Sequence, residues 1–93
     1  SICDAIVTPT PGELTFPLLK RLAGPGFAVT DEAVLKTMKL AFDTLKLTVE
    51  PGGAVALAAA LDPAVLPDVQ ELVVVISGGN VDEHLFQQAL KIA

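Results

Sequence analysis

Residues 73–86 read VVVISGGNVDEHLF: four β-branched residues, Val73 to Ile76, stop at Ser77-Gly78-Gly79-Asn80, and the pattern then turns helical. A continuous apolar run of this kind is typical of a parallel strand covered by helices on both faces. In open α/β sheets, ligands lie beyond the carboxyl ends of the strands. A strand running into this loop therefore sets a hydroxyl, two bare backbone units and an amide where a ligand would sit. The glycines serve a plain turn equally well, with Asn80 capping the next helix, and the loop alone leaves both readings open. Phosphate is a poor candidate ligand. Glycine loops that open helices do gather N–H donors, but Asp82 and Glu83 fall in the first turn and would repel an anion, and neither G-x-x-x-x-G-K-[ST] nor G-x-G-x-x-G occurs. A flat neutral group such as a heteroaromatic ring suits the loop better, with Ser77 donating or accepting one hydrogen bond at its edge.

Upstream, a second loop has the same character. Glu50-Pro51-Gly52-Gly53 sets a carboxylate before a rigid break, after which Ala54 to Leu61 reads as an Ala-rich helix whose small side chains suit burial. Two glycine pairs that follow apolar segments say more together than either does alone. Thr8-Pro9-Thr10-Pro11-Gly12 is a loop. Glu13 to Leu22 carries leucines at helical spacing, with Pro17 near the first turn, and Gly24-Pro25-Gly26 ends it. Phe27-Ala28-Val29 reads as a short strand. Thr30 caps a long helix predicted to about Lys46, with Asp31 and Glu32 at its positive end. In that helix Val34, Leu35, Met38, Phe42 and Leu45 form a core-facing stripe, opposite Lys36, Lys39 and Asp43. Asp62-Pro63 and Pro67-Asp68 frame a turn, and a last helix spans Asp82 to Ile92.

At 93 residues the chain is one small domain or a segment of a larger one. It is 52% apolar, with a mean hydropathy of +0.60, which is high for a free-standing soluble domain. Two short strands cannot provide the doubly covered sheet that Val73 to Ile76 calls for. Both features point to a segment of a larger α/β layered domain. A net charge of −5 without a basic cluster, Trp or Tyr argues against nucleic acid. No apolar run nears the roughly 20 residues of a membrane span, so a soluble protein is expected. A single Cys3 excludes an internal disulfide framework and suits a reducing cytoplasm. His84 stands alone on the expected solvent side of the last helix, without metal-ligand spacing. Nothing in the sequence draws it together with Cys3 and an acid into a nucleophilic triad.

The stretches Ser1-Ile2-Cys3-Asp4-Ala5, Pro9-Thr10-Pro11-Gly12-Glu13-Leu14-Thr15-Phe16, Leu45-Lys46-Leu47 leading into Glu50-Pro51-Gly52-Gly53-Ala54, and Val75-Ile76-Ser77-Gly78-Gly79-Asn80-Val81-Asp82 occur in that order. Together they resemble the C-terminal part of the threonine/serine dehydratases. These are fold-type II pyridoxal-phosphate enzymes of the tryptophan synthase β-like superfamily, a group that includes serine racemase. The resemblance covers essentially the whole chain. It implies a fragment of a three-layer α/β/α domain, with about four helices and two or more short parallel strands. Residues 1–93 would form a single segment of the large cofactor-binding domain of a longer enzyme.

The resemblance also implies site residues. Ser77 would hydrogen-bond the pyridine nitrogen of pyridoxal phosphate, Gly78 would line the cofactor, and Glu50 would lie near its pocket. Asn80 and Lys46 match residues that contact the nucleotide in nucleotide-activated relatives. A hydroxyl does not force protonation of the ring nitrogen as a carboxylate would, so the ring is a milder electron sink, adequate for Cα deprotonation and loss of a β-hydroxyl. The implied reaction converts a hydroxy amino acid into a 2-oxo acid and ammonia, in a cytoplasmic homodimer or homotetramer.

The family's Schiff-base lysine, phosphate loop and divalent-cation carboxylates belong to its N-terminal part. Lys20, Lys36, Lys39, Lys46 and Lys91 do not stand in the lysine's motif, so no catalytic or metal residue is assigned here and the segment alone should not turn over substrate. Threonine, serine and hydroxyaspartate remain open as substrates, as does racemisation against elimination. The reading from another class is a small acidic domain that binds a ligand or partner without catalysis.

Overall fold

A computed structural model describes residues 1–65 and 68–92. Its helices are α1 (Thr15–Leu22), α2 (Asp31–Leu40), α3 (Pro51–Ala60) and α4 (Glu83–Lys91), with a 3-10 turn at Asp4–Ile6 and a π-helical turn at Ala41–Leu45. Two helix starts follow the capping rule. Thr30 Oγ1 accepts the Ala33 N–H at 3.1 Å and Asp82 Oδ1 accepts the Leu85 N–H at 3.2 Å, each satisfying a donor that no helical carbonyl can reach. Asp82, not Asn80, therefore caps α4. The expected turn at Asp62 is present, with its side chain accepting from the Ala64 N–H at 2.9 Å. Pro67, at the other end of that turn, lies outside the described residues.

α2 is the central element, with α3 and α4 packed against it and the 3-10 turn on α3. The core gathers Cys3, Val34, Met38, Ala41, Val49, Ala54 and Ala89. Thr37 is buried among them, its hydroxyl donating to the Ala33 carbonyl at 2.8 Å, so no polar atom is stranded there. The N-terminal segment is tied to the start of α2: Ser1 Oγ donates to Asp31 Oδ1 at 3.0 Å and the Ile2 N–H to Oδ2 at 3.3 Å. Near the far end of the stripe, Phe42 meets Phe86 of α4 edge to face at 5.4 Å.

Three sequence expectations need correction. The helix predicted to run to Lys46 stops at Leu40, where the chain widens into the π-helical turn and ends with Lys46 left-handed at φ 59°. The wider turn rotates the register, so Leu45 is exposed instead of completing the stripe. Pro51-Gly52-Gly53, read as a break before a helix at Ala54, is the first turn of α3. Proline suits a first helical position, where its missing N–H has no partner to lose.

The third correction concerns the sheet. Neither Phe27–Val29 nor Leu72–Ile76 is a strand among the described residues, because no neighbouring strand answers their backbone groups there. The second segment nevertheless keeps the two-residue alternation of an extended chain, with Val74 and Ile76 half-buried and Val73 and Val75 92% and 70% exposed. Its outer face is apolar and uncovered.

α1 is uncovered as well. It buries no residue, contacts no other helix among the described residues and leaves Leu14, Leu18 and Leu22 in the open. The accessible surface is 6894 Å², where a compact protein of this mass exposes about 5,100 Å². The radius of gyration is 14.1 Å, against about 12 Å for a compact domain of this length. No helix among the described residues is long and apolar enough to cross a membrane.

Candidate functional site

The two glycine loops meet. After α2 the chain returns through Thr48 and Val49, and Val49 is buried as an anchor. This return lays Thr48 to Gly53 along Ser77 to Gly79. The Glu50 N–H donates to the Gly78 carbonyl at 3.0 Å. On the far side of that bond, the position of an added Cβ on Gly53 lies 2.7 Å from the Gly78 oxygen and 3.0 Å from its nitrogen. An added Cβ on Gly79 would fall 2.5 Å from the Thr48 carbonyl oxygen. One on Gly78 would strike the Glu50 carboxylate, with Cδ at 3.1 Å. At Gly53 and Gly79 no side chain fits while the backbones stay where they are, whereas at Gly78 only the end of the Glu50 side chain stands in the way. Backbone approach thus explains Gly53 and Gly79, and none of the three has a positive φ.

Ser77 stands at the exposed edge of this contact, and its hydroxyl makes no hydrogen bond among the described residues. Gly78 and Glu50 are half-buried beside it. Of the residues singled out in the sequence, Ser77, Gly78 and Glu50 are brought together. Asn80 follows, exposed, inside a tight turn closed by the Val81 N–H to the Gly79 carbonyl at 3.0 Å. Lys46 is exposed, and its Nζ donates to the Asp43 carbonyl at 2.8 Å. Cys3 is buried in the core while His84 is exposed on α4, and no group of three His, Cys, Asp or Glu side chains is poised for a metal among the described residues.

The open groove of about 490 Å³ between α2 and α3, lined by Ala33, Thr37, Leu40, Ala58 and Leu61, contains none of these site residues. Sequence reasoning missed Thr48 and the role of Gly53. A signal for Gly53 was available, since two adjacent glycines inside a helix cost about 1 kcal/mol each relative to alanine and call for a neighbour that needs the space.

The family described as "Pyridoxal-phosphate dependent enzyme" matches residues 1–78. The chain is similar to "Serine racemase" of Oryza sativa subsp. indica, 34% identical over 84 residues, covering 85% of this chain and 25% of that protein. It is 37% identical over 84 residues to "Serine racemase" of Dictyostelium discoideum, covering 88% of this chain and 26% of that protein. It is also 32% identical over 92 residues to "L-threonine ammonia-lyase" of Thermotoga maritima, covering 97% of this chain and 22% of that protein. The chain thus spans about a quarter of the length of the curated relatives it matches. No solved structure matches it.

Proposed function

The chain belongs to the pyridoxal-phosphate-dependent enzymes, and on that footing we propose that it is the C-terminal part of the large cofactor-binding domain of a longer threonine/serine ammonia-lyase. The observation that carries this reading is the close approach of Gly78 and Gly79 to Thr48, Glu50 and Gly53, edged by an unengaged Ser77 hydroxyl. The residues present fit the ring of pyridoxal phosphate. A planar heteroaromatic group needs a wall without side chains and one hydrogen-bonding group at its nitrogen, and Gly78 and Ser77 offer those two features. They do not suit its phosphate, because Asp82 and Glu83 open α4 with negative charge. The phosphate and the Schiff-base lysine are assigned to the remainder of the enzyme.

When bound, pyridoxal phosphate supplies the electron sink that lets a hydroxy amino acid lose its α-proton and then its β-hydroxyl. Ser77 would hold the ring edge through a neutral hydroxyl, which does not force protonation of the ring nitrogen as a carboxylate would. Gly78 lets the ring lie against backbone. The Glu50 carboxylate lies beside Gly78, at the rim of the wall. Asn80 and Lys46 are the effector contacts of this reading, and their exposure suits that role. The open apolar faces of α1 and of Leu72–Ile76 support burial against the rest of a three-layer α/β/α domain, with Leu72–Ile76 as one of its parallel strands. The whole enzyme is taken to be a cytoplasmic homodimer or homotetramer.

A second reading, serine racemisation, is favoured by the relatives of that name at 34% and 37% identity. Assay of the full-length enzyme with L-serine and L-threonine separates the two readings. Ammonia and 2-oxo acid are expected as main products, whereas D-serine as the main product would replace elimination by racemisation. Ser77→Ala should lower ammonia release and weaken cofactor binding, and unchanged kinetics would remove Ser77 from the site.

A further inference from the structure

Gly53 lies in the first turn of α3 and touches nothing that reacts. Its Cα faces the Gly78 peptide so closely that an added Cβ would sit 2.7 Å from the carbonyl oxygen and 3.0 Å from the nitrogen, with Val49 Cγ1 at 3.3 Å behind it. The neighbours cannot yield easily. The peptide is held from the same helix start by the Glu50 N–H at 3.0 Å, and Val49 is buried in the core. Gly52, one residue earlier, has a different environment: a Cβ there would meet Ala5 Cβ at 3.4 Å and Ile6 Cγ2 at 3.6 Å, which is ordinary contact. Of these two adjacent glycines in one helical turn, only Gly53 has a neighbour that needs the space, and that neighbour is the loop that carries Ser77.

We propose that Gly53 is a positioning residue for the cofactor wall: by carrying no side chain it lets the Gly78 peptide seat on α3, and this seating fixes where Ser77 presents its hydroxyl. The proposal rests on the reading of Ser77 as the group that meets the cofactor ring. A methyl group at position 53 would push the Gly78 oxygen from 2.7 Å out to the 3.4 Å at which ordinary contact begins, a displacement of about 0.7 Å. The Gly78 nitrogen, 3.0 Å from the same added Cβ, is bonded to the Ser77 carbonyl carbon, so clearing it shifts the Ser77–Gly78 peptide and Ser77 with it. Site groups need placement to within about 0.5 Å, and a displacement near 1 Å costs up to about a hundredfold. The same substitution also replaces a helical glycine by a better helix former, so the helix itself gains while the Gly78 peptide and Val49 are crowded.

The test uses the full-length enzyme with Gly53→Ala, Gly52→Ala, Ser77→Ala and the Gly53→Ala/Ser77→Ala double variant. Pyridoxal phosphate is titrated into each apo-protein and followed by absorbance and fluorescence, and hydrogen exchange of the Glu50 amide is measured without cofactor. Gly53→Ala should weaken cofactor binding about tenfold or more and speed exchange at Glu50, while Gly52→Ala should stay within about twofold of the parent. On the Ser77→Ala background the effect of Gly53→Ala should largely vanish, because the group it misplaces is gone. Parent-like binding by Gly53→Ala, or full additivity in the double variant, overturns the proposal while leaving the cofactor assignment intact. Should Gly53→Ala fail to fold, Gly79→Ala, which pushes the same loop from the Thr48 side, takes its place. Failure of both to fold overturns the proposal, since the contact would then hold the domain together and not aim a loop. An unsubstituted enzyme that binds no pyridoxal phosphate overturns the functional reading, and this inference with it.

Discussion

Gly79 and Gly24 offer a comparison in which one chemical change should have opposite signs. Both have ordinary φ values, so alanine can adopt either backbone conformation without strain. At Gly24 there is nothing within 4 Å of an added Cβ. Gly24→Ala should therefore only restrict the unfolded chain, raising stability by about 0.4–1 kcal/mol. At Gly79 the same methyl lands 2.5 Å from the Thr48 carbonyl oxygen, a backbone atom that no rotamer can clear. Overpacking of this kind costs about 1–3 kcal/mol. Set against the same unfolded-state gain, Gly79→Ala should lose up to about 2.6 kcal/mol net, where Gly24→Ala gains. Urea unfolding of the two variants beside the parent, compared at equal m-value, reads the difference. A Gly79→Ala protein as stable as Gly24→Ala would refute the close approach of Thr48 to the loop, and with it the geometry assigned to the site.

Other substitutions probe the frame around that site. Met38 is fully buried at the centre of the core, so Met38→Ala should cost about 2–5 kcal/mol in the same unfolding experiment. Lys46→Gly should raise the melting temperature, by up to about 1 kcal/mol of stability, because glycine accepts the φ of 59° freely. The same variant should abolish any activation by an added nucleoside triphosphate; activation retained in full would remove Lys46 from the effector contacts. Glu32 pairs with Lys36 at 2.7 Å, and that hydrogen bond, followed by the lysine's charge, holds its carboxyl below its ordinary value of 4.5. A depressed carboxylate contributes stability that is present above the unfolded pKa and is lost as pH falls through the folded one. An NMR titration of Lys36→Met should return Glu32 to its ordinary range, with little change in stability, since the pair is exposed.

The helices were legible where the signal is local. Thr30 with Asp31 and Glu32 announces a helix start through capping chemistry that needs no tertiary context, and α2 begins where those residues predict. The end of α2 was not legible, because the π-helical turn at Ala41–Leu45 leaves no local mark in Phe42 or Leu45. The strand expected at Leu72–Ile76 shows why an apolar run is a conditional signal. Its period-two burial is present, but a strand exists only with a partner, and none lies among the described residues. Ser77, Gly78 and Glu50, singled out by motif, lie together in the structure, as the two glycine pairs suggested. Their mutual contact was hidden because a glycine's reason for being small lies on another segment, and a sequence does not state which one.

The central claim is that this chain supplies the ring wall of a pyridoxal-phosphate site but not its covalent anchor. Borohydride reduction of the full-length enzyme with pyridoxal phosphate, followed by peptide mapping, tests it most directly. The account predicts one labelled lysine outside residues 1–93. No labelled lysine at all, or a label on Lys20, Lys36, Lys39, Lys46 or Lys91, would contradict it.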